Sequence, residues 1–294
     1  DALRENGAVI SADRLPTGIS GQLHSGVFRV PGNISSQFIS GLLFALPLLD
    51  GESEIIIDGR RESVGYIDMT LDVLRDFSVS IEETSIGYKI KAPQKYIEPD
   101  SPRVQGDWSN AAFFLCAGAL GGETEITGLS LDSRQSDRAL TNILKAFGAD
   151  IKCGSSVSVC KSELFGITVD ISQCPDLFPT LAVTACAAHG DTVFTNAARL
   201  RIKESDRIEA VEKMITSLGG FAESTPDSLT VHGTGTLAGG EVNSFNDHRI
   251  VMAAAVAACI CESPVIIRDA QAVNKSYPNF FEDYKKLGGK ADVI

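Results

Sequence analysis

The chain has 294 residues, of which 44% are hydrophobic and 22% charged, a composition typical of a globular protein large enough for two domains. Its longest apolar runs, near residues 113–120 and 251–260, are far shorter than the roughly 20 residues that cross a bilayer, which argues against a membrane protein. The net charge of −12 argues against nucleic acid as the main partner.

The cysteines and the first residues bear on the compartment. Seven cysteines are scattered without a CxxC pair, which indicates reduced thiols in a cytoplasmic protein and argues against a structural metal site. The first residues have neither a basic start nor an apolar core segment, so no signal peptide is expected. There is also no initiator Met, as expected for a chain that lacks the beginning of a longer protein.

One pattern recurs five times along the chain: a short amphipathic helix, then a Gly or Ser, then an apolar strand. The Gly or Ser stands at Gly7, Ser78, Gly148, Gly219 and Gly288, with separations of 71, 70, 71 and 69 residues. The strands are predicted near residues 8–10, 79–81, 149–151, 221 and 290–291. A period this regular predicts one structural unit used repeatedly. The first copy holds only a closing helix and strand, so we expect the chain to open inside a unit.

A second pattern consists of a polar cap, an Ala/Leu-rich helix, a turn and a strand. These helices begin near Ser35, Asp107, Pro175 and Asp247, and Ser and Asp are residues that commonly cap helices. Their interiors are apolar nearly all round, which predicts helices buried on every side. Combined, the two patterns predict an α/β (α+β) fold of repeated βαβαββ units with buried parallel helices.

A break in the pattern at residues 98–102 indicates a domain boundary. Residues 1–102 are predicted to form a partial first domain, with the end of one repeat and one full repeat. Residues 103–294 are predicted to form a second domain, with two repeats and most of a third.

Residues 199–207 hold four cations and two acids, directly after a predicted strand. The N-terminus of a buried helix offers free N–H groups and a partial positive charge, so several of them together with cations attract anions. We expect a site for a multiply anionic substrate with an acid–base pair. The residues expected to converge there are Lys203, Arg207, Arg249, Lys275, Asp176 and Glu204. The plainer alternative is that these residues only cap helices or pair with one another.

Seven strings carry a resemblance to a known family: SSQF, ESVGYIDMT, GDWSNAAFFL, CPDLFPTLAV, RIKESDR, NDHRIVMA and NKSYPNFF. In order and spacing they resemble 5-enolpyruvylshikimate-3-phosphate synthases, over essentially the whole chain. The resemblance implies the enolpyruvyl transferase fold, with two domains that each contain three βαβαββ units around buried helices. Five closing patterns instead of six imply that the first domain is incomplete and that an N-terminal portion with further substrate-binding residues is missing.

The resemblance also implies a reaction. The family transfers the enolpyruvyl group of phosphoenolpyruvate to the 5-hydroxyl of shikimate 3-phosphate and releases phosphate, a transferase step of the shikimate pathway in aromatic amino-acid biosynthesis. By resemblance, Asp176 would be the base for the hydroxyl and Glu204 the acid for the methylene carbon. The cations that would hold phosphoenolpyruvate are Arg207, Arg249 and Lys275. The residues that would hold shikimate 3-phosphate are Ser35, Ser36, Ser63, Gln37, Tyr66 and Lys203. No metal or organic cofactor is implied, and a complete protein is expected to be a cytoplasmic monomer without nucleic-acid or membrane partners.

Three alternatives remain. A UDP-N-acetylglucosamine enolpyruvyl transferase shares the fold and phosphoenolpyruvate, and RNA 3′-phosphate cyclases share the repeated unit. The third alternative is a folded structural fragment without activity of its own. We expect the chain to be catalytically very weak alone, because several charged substrate contacts of the family have no match in it. Arg199 stands where some family members carry Asn, so it is not counted among the site residues.

Overall fold

The computed structural model describes residues 1–294 and divides into two compact units, residues 1–104 and 105–294. The division falls two residues after the predicted boundary, and the assignment of repeats to each domain stays a prediction. No helix is long and apolar enough to span a membrane.

Unit 1 contains one complete βαβαββ arrangement preceded by a helix and a hairpin. Its elements are α1 (Ala2–Glu5), β1 (Ala8–Ile10), β2 (Ile19–Gly21), β3 (Val27–Pro31), α2 (Ser36–Ala45), β4 (Ser53–Asp58), α3 (Val64–Asp76), β5 (Glu82–Glu83) and β6 (Gly87–Ile90). Strands β1 and β2 form an antiparallel hairpin. The four-stranded sheet has the order β3-β4-β6-β5, in which β3 and β4 are parallel and the other pairs are antiparallel.

Unit 2 repeats this arrangement. Its first half consists of α4 (Trp108–Gly121), β7 (Glu123–Thr127), α5 (Leu140–Phe147), β8 (Asp150–Cys153), β9 (Ser156–Cys160), β10 (Thr168–Asp170), α6 (Phe178–Cys186) and β11 (Gly190–Thr195). Its second half consists of α7 (Arg207–Ser217), β12 (Phe221–Ser224), β13 (Leu229–Gly233), β14 (Gly240–Asn243), α8 (His248–Ala257), β15 (Val265–Arg268) and α9 (Phe280–Lys286).

The sheets of unit 2 follow the same rule as the sheet of unit 1. Strands β10-β11-β13-β12 stand in the equivalent order, again with the first two parallel. Strands β7-β9-β8 lack the first strand of the unit, and the parallel pair β14-β15 lacks the last two. Helices α4, α6 and α8 pack against one another at the centre, where α6 and α8 bury every residue. The predicted architecture of repeated βαβαββ units around buried helices is therefore confirmed.

The periodic Gly and Ser positions share one backbone conformation. Gly7, Ser78, Gly148, Gly219 and Gly288 all have positive φ, between 63° and 100°. A left-handed residue after a helix satisfies the last carbonyls and turns the chain, and glycine adopts it most easily. The regular sequence period thus corresponds to the same turn repeated five times.

A second left-handed position recurs, which the sequence did not reveal. The residue directly after the second strand of a unit has φ of 80° at Gly59, 83° at Gly128, 55° at Asn196 and 54° at Asp269. Asn and Asp tolerate this conformation better than other non-glycine residues. The position is hidden in the sequence because three residue types fill it.

Two of the five strands predicted after the periodic turns are wrong. Residues 79–81 form no strand, and β5 covers only Glu82–Glu83 beyond them. Residues 287–294, after α9, also form no strand. A strand requires a neighbour to accept its hydrogen bonds, and periodicity in the sequence does not report whether a neighbour is present.

Candidate active site

The parallel strand pairs determine where the predicted site residues lie. Each pair, β3/β4, β10/β11 and β14/β15, has both carboxyl ends at one sheet edge, and a loop leaves each of these ends. All eleven predicted site residues lie in those loops or in the first turns that follow them. Loops at the carboxyl ends of parallel strands are the usual place for ligand sites in α/β proteins.

Arg207, the first residue of α7, is fully buried and contacts three carboxylates. Its Nη1 lies 2.7 Å from Asp176, its Nη2 lies 2.6 Å from Glu204, and its Nε lies 2.9 Å from Asp247. A buried guanidinium is costly unless its donors are paired, and these three acids pair it. The loops after β10, β11 and β14 are therefore joined through one cation.

Arg249 extends this cluster in the first turn of α8. Its Nη2 lies 3.1 Å from the Asp176 carboxylate, and its Nη1 donates to the Asp176 backbone oxygen at 3.3 Å. Asp176 lies in the short 3₁₀ turn 175–177 that leads into α6. The predicted convergence of Arg207 and Arg249 on Asp176 is what the structure contains.

The two predicted acid–base carboxylates have different surroundings. Burial works against ionisation of Asp176, yet Arg249, Arg207 and Lys203 together hold its pKa below the usual range. Burial lowers the pKa of Lys203, and Asp176 partly opposes this change. The Glu204 side chain is 43% exposed and only one of its oxygens meets Arg207, so it is the more accessible carboxylate of the cluster.

Asp247 is a functional candidate that the sequence prediction placed only as a helix cap. Its side chain is fully buried and makes two kinds of contact. Oδ1 accepts a hydrogen bond from the backbone N–H of Arg249 at 2.9 Å, and Oδ2 forms an ion pair with Nε of Arg207. The Ser205 hydroxyl also donates to it, at 3.0 Å. Burial opposes ionisation, but Arg207 and these donors keep the pKa of Asp247 lowered. The sequence signal that could have indicated this role is an acid, Asp247, at the start of an apolar helix and two residues before Arg249.

Lys275 lies at the end of the 3₁₀ segment 270–275, after β15. Its Nζ donates to the Asn246 backbone oxygen at 2.5 Å, which holds the exposed cation against the loop that starts α8. Asn246 and Phe245 are both left-handed, with φ of 54° and 52°. The structure therefore brings Lys275 to the segment that carries Asp247 and Arg249.

The remaining predicted residues belong to unit 1 and form a group at the starts of α2 and α3. Ser35 caps α2 by accepting from the Gln37 N–H at 3.2 Å, and Ser36 is buried behind it. Ser63 precedes α3 with φ of 53° and is buried, while Tyr66 lies in the first turn of α3 and Gln37 is exposed. Helices α2 and α3 pack against each other, and the hydroxyls of Ser40 and Thr70 lie 2.8 Å apart between them.

Comparisons with known proteins identify relatives of the chain. A model of the family described as EPSP synthase (3-phosphoshikimate 1-carboxyvinyltransferase) matches residues 1–284. The 3-phosphoshikimate 1-carboxyvinyltransferase of Clostridium novyi is 47% identical over 286 residues, which is 96% of this chain and 65% of that protein. The Clostridium acetobutylicum protein of the same name is 48% identical over 276 residues, which is 94% of this chain and 64% of that protein.

Solved structures agree with these matches. An EPSP synthase from Acinetobacter baumannii superimposes with a TM-score of 0.79 and 26% identity, covering 98% of this chain and 69% of that one. The enolpyruvyl transferase NikO of Streptomyces tendae, at 19% identity and a TM-score of 0.74, covers 99% of this chain and 70% of that one, and shows the fold alone. The chain spans about 65% of the length of the curated relatives it matches.

Proposed function

Because the chain belongs to the EPSP synthase family, we propose that it supplies most of an enzyme that transfers the enolpyruvyl group of phosphoenolpyruvate to shikimate 3-phosphate. The products would be the 5-enolpyruvyl ether and inorganic phosphate. The observation that supports this proposal best is the cluster around Arg207, in which three loops contribute cations and carboxylates at the edge of parallel strands. Such a cluster suits a substrate with several negative charges and a reaction that moves protons.

Arg249 and Lys275 would bind the phosphate and carboxylate of phosphoenolpyruvate. Arg249 is 9% exposed, and its Nη2 and Nη1 contact the carboxylate and the backbone oxygen of Asp176, while Lys275 is exposed beside the loop that starts α8. The hydrogen-bond donors of Arg207 bind carboxylates, so Arg207 would act on the substrate chiefly by orienting Asp176 and Glu204.

In unit 1, the hydroxyls of Ser35, Ser36 and Ser63 would hold the shikimate phosphate, because the N-termini of helices favour anions. Gln37, Tyr66 and Lys203 would make the further contacts to that substrate.

Glu204 and Asp176 would divide the proton transfers. Glu204 gives a proton to the methylene carbon of phosphoenolpyruvate as the 5-hydroxyl oxygen attacks the neighbouring carbon and releases its proton to Asp176. In the second step Glu204 takes a proton back from the new methyl group, the double bond reforms, and the bond between the central carbon and the phosphate oxygen breaks. The proton held by Asp176 leaves with the phosphate. No group other than the two substrates is consumed.

Substrate charge would prepare Asp176 for its role. In the free chain, Arg249 and Arg207 hold Asp176 ionised, which makes it a weak base. An anion that takes over part of the Arg249 guanidinium weakens that hold and increases the basicity of Asp176.

Phosphate release from phosphoenolpyruvate and shikimate 3-phosphate tests the proposal. The assay is run with the chain alone and with the part of the Clostridium novyi relative that the chain does not match. We expect very weak turnover from the chain alone and turnover from the mixture, with Asp176→Asn and Glu204→Gln each lowering it by roughly 10²- to 10⁴-fold. A mixture that contains both folded parts and releases no phosphate contradicts the proposed activity.

Binding to the chain alone provides a second test. We expect Arg249→Met to weaken phosphoenolpyruvate binding by roughly 10- to 100-fold, because a charged hydrogen bond contributes about 1.5–3 kcal/mol. Arg75→Met is the matched control, since Arg75 is 71% exposed at the end of α3 and pairs only locally with Asp72. Equal affinity in the two variants would contradict the assignment of Arg249.

Cytoplasmic location and a monomeric complete enzyme are part of the same proposal. The free state of all seven cysteines, three of which are buried, supports a reducing compartment. The oligomeric state is measured by light scattering of the complete assembly, and a stable dimer would contradict this part.

A further inference from the structure

The loop that carries Lys203 and Glu204 runs from the end of β11 to the start of α7 and contains one short 3₁₀ segment, Ala198–Ile202. Ile202 is 66% exposed, and the Glu204 side chain is 43% exposed. An exposed segment with little regular structure of its own keeps one conformation only if neighbouring elements hold it. One such neighbour is the turn at residues 225–228, which joins β12 to β13 and which we call the β12–β13 turn.

Arg201 attaches the middle of the loop to the β12–β13 turn. Its Nη2 donates to the backbone oxygen of Thr225 at 2.6 Å, and its Nε donates to the backbone oxygen of Pro226 at 3.0 Å. Its Nη1 lies 2.8 Å from one carboxylate oxygen of Asp206. Asp206 is the N-cap of α7, and its other oxygen accepts from the Glu209 N–H at 3.1 Å. One guanidinium therefore joins the turn, the loop and the start of α7.

Asp227 attaches the start of the loop to the same turn. Its carboxylate accepts from the Ala198 N–H at 2.7 Å, and its backbone oxygen accepts from the Ala197 N–H at 2.9 Å. The turn has hydrogen bonds of its own. The Thr225 N–H donates to the Ser228 backbone oxygen at 2.9 Å, and the Thr225 hydroxyl oxygen accepts from the Asp227 N–H at 3.2 Å. The loop is thus bound at two places to a turn whose conformation is itself fixed.

Unit 1 contains an equivalent arrangement. Its four-stranded sheet has the same strand order, and the turn after β5 begins at Thr84 with the same two hydrogen bonds, 2.9 Å from the Thr84 N–H and 3.4 Å to its hydroxyl oxygen. Arg61, in the loop after β4, donates to Glu83 beside this turn at 3.1 Å. That loop ends at Ser63, another predicted site residue. In both units an arginine of a site loop therefore binds the hairpin that ends the sheet, which indicates a feature of the repeated unit.

We propose that Arg201 and Asp227 are positioning residues, which use the β12–β13 turn to determine where Lys203 and Glu204 lie in the site. The roles of Lys203 and Glu204 are those of the proposed function, on which this inference rests. Arg201 and Asp227 act through the loop and contact no substrate. Displacing a reacting group by about 1 Å can lower a rate by roughly 10²-fold, so a loop released from the turn should be a poorer source of the acid.

Amide hydrogen exchange of the chain alone tests the placement of the loop without any substrate. Arg201→Met removes all three donors, Asp227→Ala removes the carboxylate acceptor, and Asp227→Asn keeps an accepting oxygen. We expect exchange in residues 198–206 to be at least about tenfold faster in the first two variants and close to wild type in the third. Arg268→Met is the matched control. Arg268 also binds a carboxylate with two nitrogens, at 2.7 and 3.0 Å from Glu241, but on strands β14 and β15, so exchange in residues 198–206 should not change.

Kinetics of the chain mixed with the unmatched part of the Clostridium novyi relative test the consequence for the reaction. Arg201→Met should lower kcat by roughly 10- to 100-fold and raise the KM for shikimate 3-phosphate, to which Lys203 is assigned. The KM for phosphoenolpyruvate should change little, because Arg249 and Lys275 lie on other loops. A variant that is merely unstable loses active protein and leaves both KM values unchanged. Trp108 fluorescence measures the folded fraction of each variant.

Faster exchange in the loop together with a lower kcat and a KM change for one substrate supports the proposal. Unchanged exchange in both Arg201→Met and Asp227→Ala overturns it, and so do wild-type kinetics in a variant whose loop exchanges faster. A loss of activity that equals the loss of folded protein overturns it as well. If the wild-type mixture releases no phosphate, the proposed function fails, and the exchange measurement still decides whether the β12–β13 turn holds the loop.

Discussion

Replacing Asp247 by Asn removes one negative charge while keeping the side-chain oxygen that caps α8. The wild-type carboxylate pairs with the Nε of Arg207 at 2.9 Å, and both side chains have no exposed surface. Removing one partner of a buried ion pair usually costs about 3–5 kcal/mol, since the other charge stays buried without compensation. Arg207 keeps Asp176 and Glu204, so we expect the lower end, about 3 kcal/mol.

This loss of stability can be measured in the whole chain with a probe that lies in unit 2. The chain has one tryptophan, Trp108, which is fully buried at the start of α4, so its fluorescence reports the unfolding of residues 105–294. For a unit of this size, about 3 kcal/mol lowers the melting temperature by roughly 6–12 °C. Urea titration followed at the tryptophan gives the free energy of unfolding directly.

Asp107→Asn is the matched control. Asp107 also caps a buried helix, accepting from the backbone of Ser109 and Asn110, and Asn caps helices about as well as Asp. Its replacement should therefore cost no more than about 1 kcal/mol. If Asp247→Asn proves as mild as Asp107→Asn, the charge on Asp247 does not stabilise Arg207, and the account of the cluster is wrong.

Three further predictions follow from the backbone and the titrating groups. Ser78→Gly should stabilise unit 1 by about 0.5–1 kcal/mol, measured by calorimetry, because Ser78 has a left-handed backbone where the four equivalent turns have Gly. A destabilised variant would show that the turn at Ser78 is not equivalent to the other four. The hydrogen bond to Asp191 raises the pKa of His232, and Glu223 contributes to the same change. The His232→Gln variant should therefore be less stable than wild type below about pH 6.5 and equally stable above the raised pKa. A stability difference that does not change with pH would contradict this. The pKa of Asp247 is lowered in the folded state, so its stabilisation is complete above the unfolded pKa of about 3.9 and is lost as the pH falls through the folded pKa. In Asp247→Asn, the free energy of unfolding followed by Trp108 fluorescence should therefore fall less steeply at acid pH than in wild type. An unchanged pH dependence would count against the ion pair with Arg207.

Local features of the fold could be predicted from the sequence. The five turns with a period near 70 residues are left-handed as the Gly and Ser pattern indicated, and the helices at Ser35, Asp107 and Asp247 begin at those caps. These features depend on residues adjacent in the chain, so their signal survives without knowledge of the neighbours. The strands predicted at 79–81 and 290–291 do not form, because a strand requires a neighbouring strand to accept its hydrogen bonds and the sequence pattern does not report whether one is present.

The composition of the candidate site was only partly visible. The sequence indicated which charged residues belong together, because RIKESDR and NDHR each concentrate them in a few positions. That Arg207 would be fully buried among Asp176, Glu204 and Asp247 depends on three loops meeting, and no local pattern contains that distance. Asp247 was therefore recognised as a cap and missed as a partner of the central cation.

The sequence by itself determined the repeated unit, the starts of its capped helices and the family, since turns, caps and motif strings are properties of short segments. Tertiary structure alone decided which surfaces are covered. Helix α2 and helix α6 are both apolar nearly all round, yet one exposes two phenylalanines and the other exposes nothing. The difference lies in the elements that pack against each helix. An apolar helix sequence indicates that the helix is stable when buried, but it does not determine which element buries it.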